Sequence, residues 1–445
     1  MVAEGAHAAV GANVSAPGVI ASLCIFIASY GIIISEKIHR TTVALFGAAL
    51  MVIAGIIFGF YDQESAVRAI DFNTIGLLVG MMMIVAVVKD TGFFQYLAVK
   101  SAKLVKGDPW KIMLLFAVIT AMSSALLDNV TTVLLLTPMT IVICNNLKIN
   151  PIPFLFVEIL TSNIGGTATL IGDPPNILIG SAAKLSFLDF VVNVGPPSAV
   201  VFVVVMFFLR WKYKDEIQTG KENMERIMKL DEKESLKDVV LLKKSMFVLT
   251  LVIIAFFLHG WLHLEGATIA LLGAGLLLML DHKNVERALH EHCLKEIEWE
   301  TIFFFSGLFI LVGGIEHAGV ISWAAERMID FTEGSLAMTT SLVLWGGAIF
   351  SAFVDNIPFV ATMIPMVKGM GGVFPDLGPI WWSLSLGACL GGNGTLVGAS
   401  ANLVVAGMAG KAGYKIKFVE FMKVGLIVMF ISVAISHVYV WLRFL

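Results

Sequence analysis

Apolar runs close to twenty residues long recur along the chain, at 19–35, 42–60, 191–211 and 421–441. About 20 such residues in helical form cross a bilayer, and inside the hydrocarbon every backbone polar group must be satisfied within the protein. That leaves helices or a closed barrel, and the alternating pattern of barrel strands is not seen. Of the 445 residues 58% are hydrophobic and 14% are charged. A soluble domain carries roughly 25% charged residues. The chain therefore reads as an all-α polytopic membrane protein, and the lipid bilayer is its first partner. The first eighteen residues contain no Lys or Arg and do not resemble a cleaved signal peptide. Cys24, Cys144, Cys293 and Cys389 are widely spaced, which suits free, small hydrophobic residues better than a disulfide framework or zinc site. A net charge of −3 with no basic stripe gives no reason to expect nucleic acid.

One Lys/Glu-rich stretch, 211–244, divides the chain into near-equal halves and reads as a cytoplasmic linker with a short amphipathic helix. The halves repeat one another. Asp71-Phe72-Asn73-Thr74 lies 227 residues (298 − 71) before Glu298-Trp299-Glu300-Thr301. Gly80 and Gly307, Gly92 and Gly319, and Pro138-Met139 and Pro365-Met366 keep that offset, as do Ser124–Asn129 and Ser351–Asn356. Gly172-Asp173-Pro174-Pro175-Asn176 then aligns with Gly398-Ala399-Ser400-Ala401-Asn402 at 226.

Basic residues concentrate on the cytoplasmic side of membrane proteins. With the linker inside, the clusters at Lys37/His39/Arg40, Lys89–Lys111, Lys283/Arg287/Lys295 and Lys411–Lys423 all fall inside under one condition. The segments around Asp128-Asn129 and Asp355-Asn356 must enter and leave by the same face as re-entrant hairpins. Each half then has five crossings, so the halves are inverted and both termini are periplasmic, as in secondary transporters with broken helices. The expected parts of 19–210 are scaffold helices over 19–90, a hairpin over 111–146, a broken helix over 153–182 and a last helix over 191–210. Those of 245–442 are 245–316, 336–367, 380–409 and 419–442.

Asp128 and Asp355 are carboxylates in apolar sequence, where an ionised side chain costs at least ~2.5–3.5 kcal/mol. Each must pair, neutralise or face a watery cavity. Asp is also a good helix N-cap, and capping is compatible with binding. The glycine pairs of Asn163-Ile164-Gly165-Gly166-Thr167 and Gly391-Gly392-Asn393-Gly394-Thr395 would break spanning helices and turn backbone polar groups towards a cavity. Small residues for close helix packing are the plainer reading. Cys389 reads as ordinary packing, although a thiol there could touch a thiophilic solute.

Gly165–Asn176 (Gly-Gly-Thr-Ala-Thr-Leu-Ile-Gly-Asp-Pro-Pro-Asn) and Asp355-Asn356-Ile357-Pro358 resemble the ArsB/NhaD branch of the ion transporter superfamily. The ArsB-type arsenite permeases and the melanosomal P protein are the most similar groups. The resemblance implies a homodimer with a fixed scaffold and an elevator-like transport part made of hairpins and broken helices. It implies binding of solute or ion at Asp128, Asn129, Asn163, Gly165, Gly166, Thr167, Asp355, Asn356, Asn393, Gly394 and Thr395. Asp173, whose repeat partner is Ala399, is expected to couple or gate, together with Asn176 and Asn402. The site segments contain no Lys or Arg, which disfavours multivalent carboxylates. The leading expectation is export of arsenite or antimonite across a bacterial inner membrane in exchange for protons. Na⁺/H⁺ antiport of the NhaD type, an anion transporter, and a channel subunit driven by a soluble ATPase partner are the alternatives. No nucleophile–base–acid set or metal-ligand cluster stands out, so no enzyme activity, metal or cofactor is expected. His259, His263, His290 and His292 read as loop and interface residues.

Overall fold

Where each helix stops is written in its local chemistry. In the computed structural model, which describes residues 14–35, 37–281 and 293–445, Gly92 and Gly319 end equivalent helices with φ of 78° and 80°. Only glycine enters that left-handed region without strain. Lys283, Arg287, His290 and His292 lie outside the described residues.

The described residues form helices and no strands. Among the described residues, ten helices are long and apolar enough to cross a membrane by length and composition. The first half runs Ala16–Ser35, Arg40–Phe58 and Phe72–Asp90, then the hairpin Pro109–Leu126 and Asn129–Leu147. The broken helix follows as Ile152–Thr167 and Pro174–Ala183, and Gly195–Tyr213 ends the half. The second half repeats the order as Val239–Leu262, Gly266–Leu280 and Trp299–His317, the hairpin Leu336–Phe353 and Asn356–Gly369, the broken pair Gly378–Gly391 and Ser400–Lys411, and Phe418–Phe444. The linker carries the expected short helix, Lys221–Met228. Two amphipathic connectors, Phe93–Leu104 and Val320–Phe331, were not anticipated from periodicity, although they too sit 227 residues apart. The helix expected from 191 begins at Gly195, because a separate short helix, Phe187–Asn193, turns by 114° from Pro174–Ala183.

The halves interlock. Helix Phe72–Asp90 of the first packs on Gly266–Leu280 of the second, and Trp299–His317 packs on Arg40–Phe58. Both crossings depend on glycine. A Cβ on Gly80 would lie 2.6 Å from the Ala270 carbonyl carbon, and one on Gly307 would lie 2.7 Å from that of Ala44. In lipid, burial of apolar surface adds little to helix association, so close backbone approach carries it. Outward-facing side chains such as Phe207, Trp211 and Leu272 are each 70% exposed, an arrangement suited to hydrocarbon contact.

Candidate functional site

Each hairpin turns at its Asp-Asn pair because the aspartate caps the returning helix. Asp128 Oδ1 accepts from the Thr131 N–H at 2.7 Å, and Asp355 Oδ1 from the Ile357 N–H at 3.1 Å. A turn placed at membrane depth would otherwise leave helix-end donors unmet.

The two breaks are pinned by symmetry-related bonds. Ser124 Oγ donates to the Ser162 carbonyl and Ser351 Oγ to that of Ala388, both at 2.6 Å. Thr169 Oγ1 donates to the Ala125 carbonyl and Thr395 Oγ1 to that of Ala352, both at 2.5 Å. The Asn176 amide donates to the Thr167 and Thr169 carbonyls (3.1 and 2.9 Å), and Asn402 to those of Gly392 and Thr395 (2.8 and 2.9 Å). Non-helical carbonyls in a membrane need such partners, and these two asparagines supply them. Gly165 and Gly166 lie against backbone: a Cβ on Gly165 would collide with the Ala121 carbonyl, and one on Gly166 would sit 2.5 Å from the Gly172 oxygen. Gly394 is similarly closed in by Ala352 at 2.7 Å. Thr167 Oγ1 is spent on the Asn163 carbonyl at 2.7 Å.

The halves meet through asparagines. Asn129 Nδ2 donates to Asn163 Oδ1 at 3.2 Å, and Asn163 Nδ2 donates to Asn393 Oδ1 at 2.9 Å and Asn402 Oδ1 at 3.0 Å. The second hairpin breaks the pattern. Asn356 Nδ2 reaches Asp173 instead, at 3.3 and 3.4 Å. The asymmetry seen in the sequence at Asp173 and Ala399 thus becomes a contact between halves. Cys389 is buried, with Sγ 3.4 Å from Asn176 Oδ1.

A cavity of about 660 Å³ brings four of the expected residues together: Asp128, Asn129, Asp173 and Asn356. Asn163, Thr167, Asn176, Asn393, Thr395 and Asn402 are fully buried behind it. Asp355 lines an adjoining space of about 280 Å³. The main cavity also takes His39, Arg40, Lys295, Glu298 and Ser400 from other elements.

Arg40 corrects the sequence reading. The site segments carry no Lys or Arg of their own, yet the guanidinium reaches in from the start of helix Arg40–Phe58. Its Nη1 lies 2.5 Å from Asp355 Oδ2 and 2.8 Å from Ser400 Oγ, with Ser400 Oγ also donating to Asp355 Oδ2 at 2.9 Å. The Phe304 ring lies 5.0 Å from the guanidinium carbon. The side chains are 30% and 12% exposed, so water screens the pair in part. Arg40→Ala is expected to lower stability by about 1–3 kcal/mol, below the range for breaking a fully buried pair. Arg40→Ala/Asp355→Asn should recover part of the loss, because no carboxylate is then stranded. Thermal unfolding of the four proteins of that cycle in detergent measures the coupling, and strict additivity would refute it. Arg40 and Glu298 were missed because they lie far in sequence from both motifs, and Ser400, inside the Gly398–Asn402 segment, because its repeat partner is the apolar Pro174.

The chain is similar to known membrane transporters. A family profile described as a citrate transporter, CitMHS, matches residues 30–387. An uncharacterized transporter of Mycobacterium tuberculosis (strain ATCC 25618 / H37Rv) is 42% identical over 431 residues, covering 96% of this chain and 98% of its own. The 46 kDa membrane protein of Mycobacterium leprae is 42% identical over 430 residues, covering 95% and 98%. The human P protein is 35% identical over 494 residues, which take in 92% of this chain and 58% of that longer protein. Among solved structures, MtrF of Neisseria gonorrhoeae, described with a class of antimetabolite efflux pumps, aligns with a TM-score of 0.57. The match has 12% identity and covers 94% of this chain and 97% of that one, a likeness of fold alone.

Proposed function

The chain belongs to the CitMHS citrate transporter family of the ion transporter superfamily, and we propose that it is a proton-coupled secondary transporter exporting a small hydroxylated solute, arsenite or antimonite. One observation carries this reading: Asp128, Asp173 and Glu298 line a single cavity whose one arginine is already engaged by Asp355. Glu296 and Glu300, also in its lining, are paired with Lys89 and His39. Set against Lys295, the remaining lining cation, Asp128, Asp173 and Glu298 still leave an acidic excess, which disfavours a free polyanion and suits a proton, a cation or a neutral solute. Arsenite is mainly an uncharged trihydroxide at neutral pH, and carboxylate and amide groups match its hydroxyls. A carboxylate that must shed its charge when the cavity dries is a natural carrier of the exchanged proton.

In this reading the hairpins and broken helices move together against the helices within 16–90 and 239–317, and a homodimer holds that scaffold still. The cavity opens beside His39, Arg40 and Lys295, on the side that the positive-inside rule assigns to the cytoplasm of a bacterial inner membrane. A second reading, carboxylate transport, is favoured by Arg40 and by the family description.

Everted membrane vesicles decide. Proton-driven arsenite uptake is expected, abolished by a protonophore and indifferent to ATP depletion. Uptake that instead follows ATP supports a soluble ATPase partner. No arsenite uptake at all sinks the lead reading. Sodium-dependent dequenching of a pH probe would then point to Na⁺/H⁺ antiport, and citrate uptake to the second reading.

A further inference from the structure

Helix Ile152–Thr167 carries one carboxylate, Glu158, and it is 1% exposed. Its hydrogen-bond partners are two hydroxyls on the second helix of the first hairpin. Thr137 Oγ1 donates to Oε2 at 3.2 Å, and Thr140 Oγ1 donates to Oε1. No Lys, Arg or His among the described residues pairs with it. The titratable group that faces it is the buried thiol of Cys144, one turn beyond Thr140. The other helices packed on Ile152–Thr167 hold their Lys, Arg and Glu residues in their first or last two turns, and His437 of Phe418–Phe444 lies by Trp345.

Nearer the hairpin tip, the Thr132 hydroxyl and the Asn129 amide oxygen are buried with no partner. Buried polar atoms are seldom left unpaired without a reason. The second repeat shows that the architecture does not require any of this polarity. At the 227-residue offset Thr132, Thr137 and Thr140 become Phe359, Ile364 and Val367, and at 226 Glu158 becomes Leu384. Four polar positions in one half are thus four apolar positions in the other, with the same helices around them.

We propose that Glu158, held by Thr137 and Thr140 on the returning helix of the hairpin whose tip carries Asp128 and Asn129, is a proton-binding site. The assignment rests on the proton-coupled reading above. A carboxylate at this depth without a cation is costly, and one proton relieves it. Threonine hydroxyls rotate and serve both forms. Both donate to the ionised group; when the acid forms, its O–H donates to one of them, whose own O–H turns away. Only O–H bonds are made and broken: the proton is taken from hydronium, leaving water, and release returns it to water.

The test uses full-length protein with Glu158→Gln, and a second variant, Thr137→Ile/Thr140→Val/Glu158→Leu, that copies the second repeat. Infrared titration of the solute-free protein should show a protonated-carboxyl band in the parent that is absent from both variants. In proteoliposomes, arsenite counterflow without a pH gradient should stay within about threefold of the parent, while gradient-driven accumulation falls by about tenfold or more. An infrared spectrum unchanged in Glu158→Gln overturns the proposal, as does undiminished gradient-driven accumulation in both variants. Equal loss of counterflow and accumulation in both also overturns it, in favour of a packing role. If the parent moves no arsenite, the cargo reading fails, and the infrared band, which needs no solute, still decides on Glu158.

Discussion

Gly165→Ala is expected to lower the thermal midpoint of the protein in detergent by several degrees, whereas Gly275→Ala leaves it unchanged or raises it. The added methyl at 165 would fall on the Ala121 carbonyl, with the Cα and carbonyl carbon of Ala121 at 2.5 and 2.6 Å. A side-chain neighbour could rotate away; these atoms belong to the backbone of helix Pro109–Leu126. Overpacking costs about 1–3 kcal/mol in ordinary cores, and a fixed obstacle puts this site at the upper end or above. Gly391, the repeat partner, meets the Ala348 carbonyl oxygen at 2.6 Å and should behave likewise. Around Gly275 there is nothing within 4 Å, so a methyl there gains up to ~1 kcal/mol of helix propensity. Thermal unfolding of the purified variants gives the comparison, and equal midpoints for 165 and 275 would show that the break does not seat against the hairpin.

Asp173→Asn should reduce proton-driven transport by about 10- to 100-fold, the scale of one lost charge-assisted hydrogen bond. Asp128→Asn should show a loss of the same order. The Asp173 carboxylate is fully buried, accepts from Asn356 of the opposite repeat, and borders the cavity. Asparagine keeps its size and removes both the charge and the titration. Asp330→Asn, on the exposed end of Val320–Phe331, is the control and should transport as the parent does. Initial rates in everted vesicles measure all three, with surface expression matched. Parental rates in Asp173→Asn would remove that residue from the coupling step.

Much of this was legible in the sequence because inverted repeats preserve what geometry cannot replace. Gly92 and Gly319 recur since each needs a positive φ, and the Asp-Asn pairs recur since each turns a hairpin. Their constant spacing gave the architecture without a view of any contact. What stayed hidden has three physical causes. Arg40 reaches the site through space, from a helix of one half to a hairpin of the other, and no local pattern encodes that approach. Glu158 displayed the same signal as Asp128, a carboxylate in apolar sequence, yet it has no counterpart in the second half. An inspection guided by symmetry passes over it for that reason. The roles of Asn176 and Asn402 were unreadable for a third reason: which carbonyls a break leaves unmet is decided only by the path of the chain through it.

The crossed packing of Gly80 on Ala270 and Gly307 on Ala44 bears on how the chain is made. While the ribosome is still producing the linker, helix Phe72–Asp90 lacks its partner, since Gly266–Leu280 has yet to be synthesised. The first half is therefore an unfinished surface during its own insertion, and its last contacts form only once the second half arrives. Assembly is a clasp closed from the C-terminal side, and a chain interrupted in the linker would leave the membrane holding one open hook.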